Sequence, residues 1–404
     1  MNKQKIVEYI RSGAKPSENI GVEIEHFIVN SANESISYYG KDGIGAVLEE
    51  LARFFDEKIY SEGQLIALSN GRYHLTLEPA AQLEISIEPL QYIDEIEKIY
   101  HEFYDLIHPI LESRGYRLVT LGYQPHDCVS DLPLIPKKRY ELMDRYFSHS
   151  GKYGKNMMRG TASAQVSIDY TDERDCILKF RLANALVPIL ALITDNAPIF
   201  EGERYGGRMI RTKIWSDVDN ARCGIVPGGT DKDFSLERYA DYLLNTPPIL
   251  IENNGKTIYT DTKTTQEIYR EREMTKADIE HILSMFFPDV RLKQYIEIRP
   301  ADSMPIPYTL AYAAFIKGIF LRLSSVCDEL GLDNIHTEDV ENAKKKLMAD
   351  GFHAIIYGRR VTDILNELLN TAEASLPDRD RIYLNPLSQL VRSRTTLKNQ
   401  KKEG

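Results

Sequence analysis

Four short stretches of this sequence place acidic and amide side chains at every second position. In GVEIEHFIV (21–29), Val22, Ile24 and Ile28 fall on one face of an extended strand, and Glu23 and Glu25 fall on the other. In QLEISIEP, Leu83, Ile85 and Ile87 oppose Gln82, Glu84, Ser86 and Glu88. AQVSIDY separates Val166 and Ile168 from Gln165, Ser167 and Asp169, and YIEIRP separates Ile296 and Ile298 from Tyr295, Glu297 and Arg299. If the four share a sheet, one face gathers Glu23, Glu25, Glu84, Glu88, Asp169 and Glu297 against a single in-pattern cation, Arg299. Carboxylates a few ångströms apart do not all stay ionised unless a cation joins them, and hard oxygen donors of this kind suit Mg²⁺ or Mn²⁺ rather than zinc. The plain alternative is a solvated sheet face with its glutamates outward.

A sheet of this kind needs helices on its apolar side. Helical periodicity is present over Ile44–Phe55, Ile93–Leu111, Arg174–Ile193 with a kink expected at Pro188, and Tyr308–Leu323, with a helical C-terminal region over about 340–375. The short alternating stretches between them, bounded by Gly, Pro or Asp, read as strands, so the fold class is α+β with antiparallel pairing. No linker, repeat or low-complexity block interrupts the chain, which predicts one catalytic domain over 1–404 with a frayed basic tail at 395–404.

The 404 residues are 43% hydrophobic and 27% charged, the balance of a folded globular protein. A formal charge of −10 argues against nucleic acid as a partner. Cys128, Cys176, Cys223 and Cys327 are too scattered for a disulfide framework or a metal knuckle. With no apolar leader in MNKQKIVEYIRSG and no apolar run long enough for a membrane span, the expectation is a cytoplasmic protein without a membrane anchor. The nine histidines form no HExxH pair, and His26 should point to the apolar side of its strand. Neither GxSxG nor a Walker A loop occurs, so nothing suggests a serine hydrolase or a P-loop enzyme.

Taken with EPAAQLEISIEPL (78–90), TASAQVSIDY (161–170), RLANALVPILALITDNAPIFEG (181–202), RTKIWSDVD (211–219) and FFPDVRLKQYIEIRPAD (286–302), the first stretch resembles the plant-type glutamate–cysteine ligases in order and spacing, over about 20–320. That resemblance implies a glutamine-synthetase-like fold, in which a curved antiparallel sheet forms an active-site funnel with helices on its outer face. It implies ATP-dependent joining of the γ-carboxylate of L-glutamate to the amino group of L-cysteine, the first step of glutathione synthesis, with Mg²⁺ as cofactor. It also implies a metal shell of Glu23, Glu25, Glu78, Glu84, Gln165 and Glu297, and nucleotide contacts from Glu25, Gln165 and Arg299. Arg299 and Glu84 would act in catalysis, while Thr161, Arg211, Trp215 and Tyr242 would hold the amino-acid substrates. Glu78 enters by resemblance alone. The sequence departs from the family where Ala80, Ala81, Pro300, Ser303 and Met304 replace usual glycines and where Arg159 and Gly160 precede Thr161, so a γ-glutamyl ligase for another small amine stays open. A non-catalytic homologue that binds glutamate or nucleotide is the rival of a different class.

Overall fold

In a computed structural model, which describes residues 1–16, 18–253 and 256–400, the four alternating stretches do enter one sheet. Its nine strands are β1 (Ile20–Val29), β2 (Glu57–Ser61), β3 (Gln64–Ser69), β4 (Tyr73–Leu77), β5 (Leu83–Leu90), β6 (Arg117–Val119), β7 (Ala164–Ile168), β8 (Val290–Leu292) and β9 (Ile296–Ile298). The order is β8-β9-β7-β1-β5-β4-β3-β2, with β6 joined to the far end of β1. Every pairing in it is antiparallel. The α+β class and the antiparallel sheet are therefore as the alternation predicts.

Register places the polar side chains in rows. Glu23 stands opposite Gln165 on one side and Ser86 on the other, and Glu25 stands opposite Glu84, which in turn faces Thr76. Glu297 lies between Ser167 and Arg291. The alternate residues Val22, Ile24, Leu83, Ile85, Val166, Ile168, Ile296 and Ile298 are buried in one continuous core. Helices Ile93–Glu112, Glu173–Ile193 and Ile306–Phe320 cover that face. A fully buried apolar side chain is worth about 1.5–3 kcal/mol, so a one-residue slip, which would turn the whole apolar row outward, is strongly disfavoured.

Pro188 lies inside a single helix assigned from Glu173 to Ile193. That helix is long and apolar enough to cross a membrane, but 89% of its apolar window is buried inside the fold, as in the core helix of a soluble protein. The helix expected over Tyr308–Leu323 ends at Phe320, and the chain turns by 87° into Leu323–Leu330. The C-terminal region is not helical throughout. Thr337–Asp350 and Val361–Ser375 are helices, separated by a short hairpin pairing Ile355–Ile356 with Arg359–Arg360, where Gly351 and Gly358 take positive φ.

The tail also differs from expectation up to residue 400. Leu397–Asn399 forms a 3₁₀ turn, the Lys398 amide donates to the Asp195 carbonyl, and the Lys398 ammonium lies 4.4 Å from the Tyr205 ring centre. A cation seated on an aromatic face and donating to the Gly207 carbonyl is docked, not frayed. Lys401 and Lys402 lie outside the described residues.

Candidate active site

A cleft of about 330 Å³ opens on the polar face of the sheet. Its lining includes Glu23, Glu25, Glu78, Glu84, Gln165, Glu297 and Arg299, and also Thr161, Arg211 and Trp215. Tyr242 is not among the lining residues: on helix Leu236–Asn245 its ring packs on Phe286, with centroids 5.1 Å apart, and on Tyr239. Glu88 and Asp169 are also absent from the cleft. Glu88 is bonded to the exposed His74 at 2.9 Å, and Asp169 pairs with Lys15 at 3.0 Å, because both sit near strand ends where the correct face no longer overlies the site. His26 points to the apolar side, as expected, where the Leu83 carbonyl and the Tyr100 hydroxyl hold its ring nitrogens.

Arg299 is the single cation expected on the alternating strands and Arg211 is expected by resemblance, but more cations enter the cleft. Lys137, Arg139, Arg211, Arg291 and Lys293 join Arg299, so six cations face five carboxylates. Charge is unevenly paired within the cleft, with Lys137 and Arg139 on the side of Glu78 and three other cations bonded to Glu297. Glu297, fully buried, takes Lys293 on one oxygen at 2.8 Å, and Arg291 at 2.7 Å and Arg299 at 3.1 Å on the other. These cations overcome the cost of burial and hold its carboxyl far below the ordinary carboxylate range.

The other carboxylates have no such partners. Glu23 and Glu84 are each pushed up to about 8, by burial first and then by neighbouring glutamates. Glu78 rises to about 7 for the same two reasons. Among the described residues, no three His, Cys, Asp or Glu side chains converge closely enough to hold an ion as they stand. Ser163 donates to both Glu25 oxygens, through its amide at 2.8 Å and its hydroxyl at 2.7 Å, and Ser303 supports the Glu25 backbone carbonyl.

Gln165 links Arg299 to Glu25. Its carbonyl oxygen accepts from Arg299 at 2.7 Å while its amide group approaches Glu25 at 3.4 Å. Arg211, 7% exposed, donates to the Arg299 backbone carbonyl at 2.9 Å, and its guanidinium lies 5.5 Å from the Trp215 ring centre. The Arg211 Nε and the Trp215 indole Nε1 are both buried without a hydrogen-bond partner. Glu78 is set by the turn that follows it, closed by Glu78 and Gln82 backbone bonding, with Ala81 in the left-handed region at φ +67°.

The raised carboxyls make a stability prediction. They bind protons more tightly folded than unfolded, where they titrate near 4.5, so their stabilising contribution is complete below 4.5 and is lost as pH rises through 7 to 8. His26, pushed down to about 4 by burial, has the opposite slope below its ordinary value of 6.5. Calorimetry in EDTA should therefore show the melting temperature falling between pH 6.5 and 8.5. A flat or rising profile there would contradict the charge assignment.

Similarity to known proteins gives the family and the fold. The family model described as glutamate–cysteine ligase family 2 (GCS2) matches residues 19–397. The chain is 32% identical over 388 residues to the chloroplastic glutamate–cysteine ligase B of Oryza sativa subsp. japonica, covering 94% of this chain and 78% of that protein. It is 28% identical over 408 residues to the chloroplastic glutamate–cysteine ligase of Arabidopsis thaliana, covering 98% and 78%. Among solved structures, the glutamate–cysteine ligase of Francisella tularensis in complex with AMP superposes with a TM-score of 0.57 at 13% identity, over 94% of this chain and 82% of that one. The expected cytoplasmic setting is contradicted by the plant relatives, which are chloroplastic ligases. An apolar leader is a signal for secretion only, whereas transit peptides are amphipathic and rich in Arg and Ser.

Proposed function

The chain belongs to glutamate–cysteine ligase family 2, and from that premise we propose that the cleft activates the γ-carboxylate of L-glutamate with ATP and joins it to the amino group of L-cysteine, giving γ-glutamylcysteine for glutathione synthesis. The observation that carries this reading is one cleft that gathers four carboxylates without salt bridges, Glu23, Glu25, Glu78 and Glu84, together with six cations, three of which hold Glu297.

A carboxylate is a poor acyl donor. Transfer of the ATP γ-phosphoryl group to a glutamate γ-oxygen makes an acyl phosphate, and attack by the amine then expels phosphate through a tetrahedral intermediate. Both steps concentrate negative oxygen, so the protein's task is positioning and charge stabilisation rather than covalent catalysis. Arg299 faces the transferring phosphoryl group, with Gln165 and Glu297 fixing its guanidinium. Arg211 holds a substrate α-carboxylate beside Trp215 and Thr161, a role suited to a planar fork of donors.

Hard divalent cations fit the carboxylates without salt bridges. Glu23, Glu25, Glu78 and Glu84 would hold Mg²⁺, or Mn²⁺ in its place, with Gln165 and Glu297 at the border of the shell. Bound there, the ion supplies charge neutralisation for the polyphosphate.

ADP release that requires both glutamate and an amine distinguishes this enzyme from a sensor that binds glutamate or nucleotide without turnover. ADP formation indifferent to both substrates would overturn the ligase reading. Within that assay, Arg211→Ala should raise the amino-acid KM by about 10- to 100-fold, the loss of a charged hydrogen bond, and leave the ATP dissociation constant nearly unchanged. Loss of ATP binding with an unchanged amino-acid KM would reassign Arg211.

A further inference from the structure

Residues Asn156–Gly160 form a π-helical turn, and its Met157 and Met158 line the cleft next to Thr161. Such turns are rare and recur at functional sites. This one is fastened from outside at every residue. The Asn156 amide donates to the Tyr123 hydroxyl at 2.8 Å and to the Glu201 carboxylate at 3.0 Å, and the Tyr123 hydroxyl donates to the same carboxylate. Thr161 caps the Met157 carbonyl at 2.7 Å, Gln82 reaches the Met158 carbonyl at 3.4 Å, and Arg159 is tied to Asp144 at 2.6 Å. Gly160 lies against Tyr123, where a Cβ would meet ring atoms at 2.6 Å, and its carbonyl accepts from the Gln124 amide.

The turn packs against the helix Ile210–Trp215, and Trp215, also in the cleft lining, faces Phe287 with ring centres 6.4 Å apart. Thioethers and aromatic rings thus make up this part of the cleft, away from the ion pairs around Glu297. Polarisable surfaces of this kind favour a small, uncharged side chain such as a thiol or short alkyl group.

Resting on the ligase reading, we propose that the π turn is the wall against which the acceptor amino acid's side chain packs, and that Tyr123, with Asn156 and Glu201, is a positioning group that sets this wall without touching substrate. Tyr123 is fully buried and does not line the cleft, so it acts only through the turn.

Parental turnover dependent on glutamate and cysteine is measured first, which separates failure of the ligase reading from failure of this inference. Tyr123→Phe keeps the ring on Gly160 and removes the hydroxyl. It should raise the cysteine KM about tenfold and lower the preference for cysteine over 2-aminobutyrate, with kcat and the KM values for ATP and glutamate within about twofold. Glu201→Gln retains an acceptor for both donors and should keep the parental preference, whereas Glu201→Ala should behave like Tyr123→Phe. Met157→Ala enlarges the wall directly and should shift preference toward longer side chains, a result independent of whether the Tyr123 variant folds. An unchanged acceptor preference in Met157→Ala, or a uniform loss across all substrates in a folded Tyr123→Phe, would overturn the inference.

Discussion

Glu84→Gln is expected to lower glutamate-dependent ADP release by about 10²- to 10³-fold, the effect typical of removing one preorganised electrostatic group, while the chain stays folded. Glu84 projects from β5 opposite Glu25, and the hydroxyls of Thr76 and Ser86 donate to its Oε1 at 2.8 and 3.1 Å. A glutamine carbonyl accepts both bonds, so the shape and the local hydrogen bonding survive. Only the charge is removed. Because burial and neighbouring glutamates push the Glu84 carboxyl up to about 8, its loss relieves repulsion, and the metal-free melting temperature should hold or rise slightly near pH 8. Near-parental turnover at millimolar Mg²⁺ would remove Glu84 from the metal shell proposed for this cleft.

Arg299→Ala should reduce kcat by about 10³-fold and leave the glutamate KM almost unchanged, since stabilisation of transferring phosphoryl groups by arginine is worth that order. Two features separate this effect from damage to the fold. Glu297 keeps Arg291 and Lys293 when Arg299 is truncated, so no buried charge is stranded. Arg211 binds the Arg299 backbone carbonyl, not its side chain, so the amino-acid end of the cleft keeps its anchor. A defect confined to the glutamate KM with kcat intact would make Arg299 a substrate-holding residue instead.

Strand alternation revealed the site because each strand pairs one apolar face with one polar face, and the buried rows of Ile and Val fix which is which. Alternation gives the face of a residue but not its position along the strand. Glu88 and Asp169 carry the right parity and still miss the cleft. The cations were harder to see. Arg291 and Glu297 stand opposite each other across a hairpin centred on Gln294, a symmetry present in VRLKQYIEI but invisible to a search for single alternating strands. Lys137 and Arg139 come from the start of helix Lys138–Ser150, and Arg211 from a short helix whose Met209 cap takes φ +50°. Their convergence on the sheet is set by tertiary packing. Tyr242 matches its family segment but packs on Phe286 outside the cleft lining, which a motif match cannot distinguish from a place in the lining.

In the proposed reaction ATP activates the glutamate γ-carboxylate for attack by cysteine. Mass spectrometry of the products from ATP, Mg²⁺, glutamate labelled with ¹⁸O in its γ-carboxylate, and an equimolar mixture of amino acids tests it most directly. The mechanism predicts γ-glutamylcysteine as the dominant dipeptide and one labelled oxygen in each inorganic phosphate released. Unlabelled phosphate would contradict an acyl-phosphate route, and a different amine dominating cysteine tenfold would leave the ligase but contradict its place in glutathione synthesis.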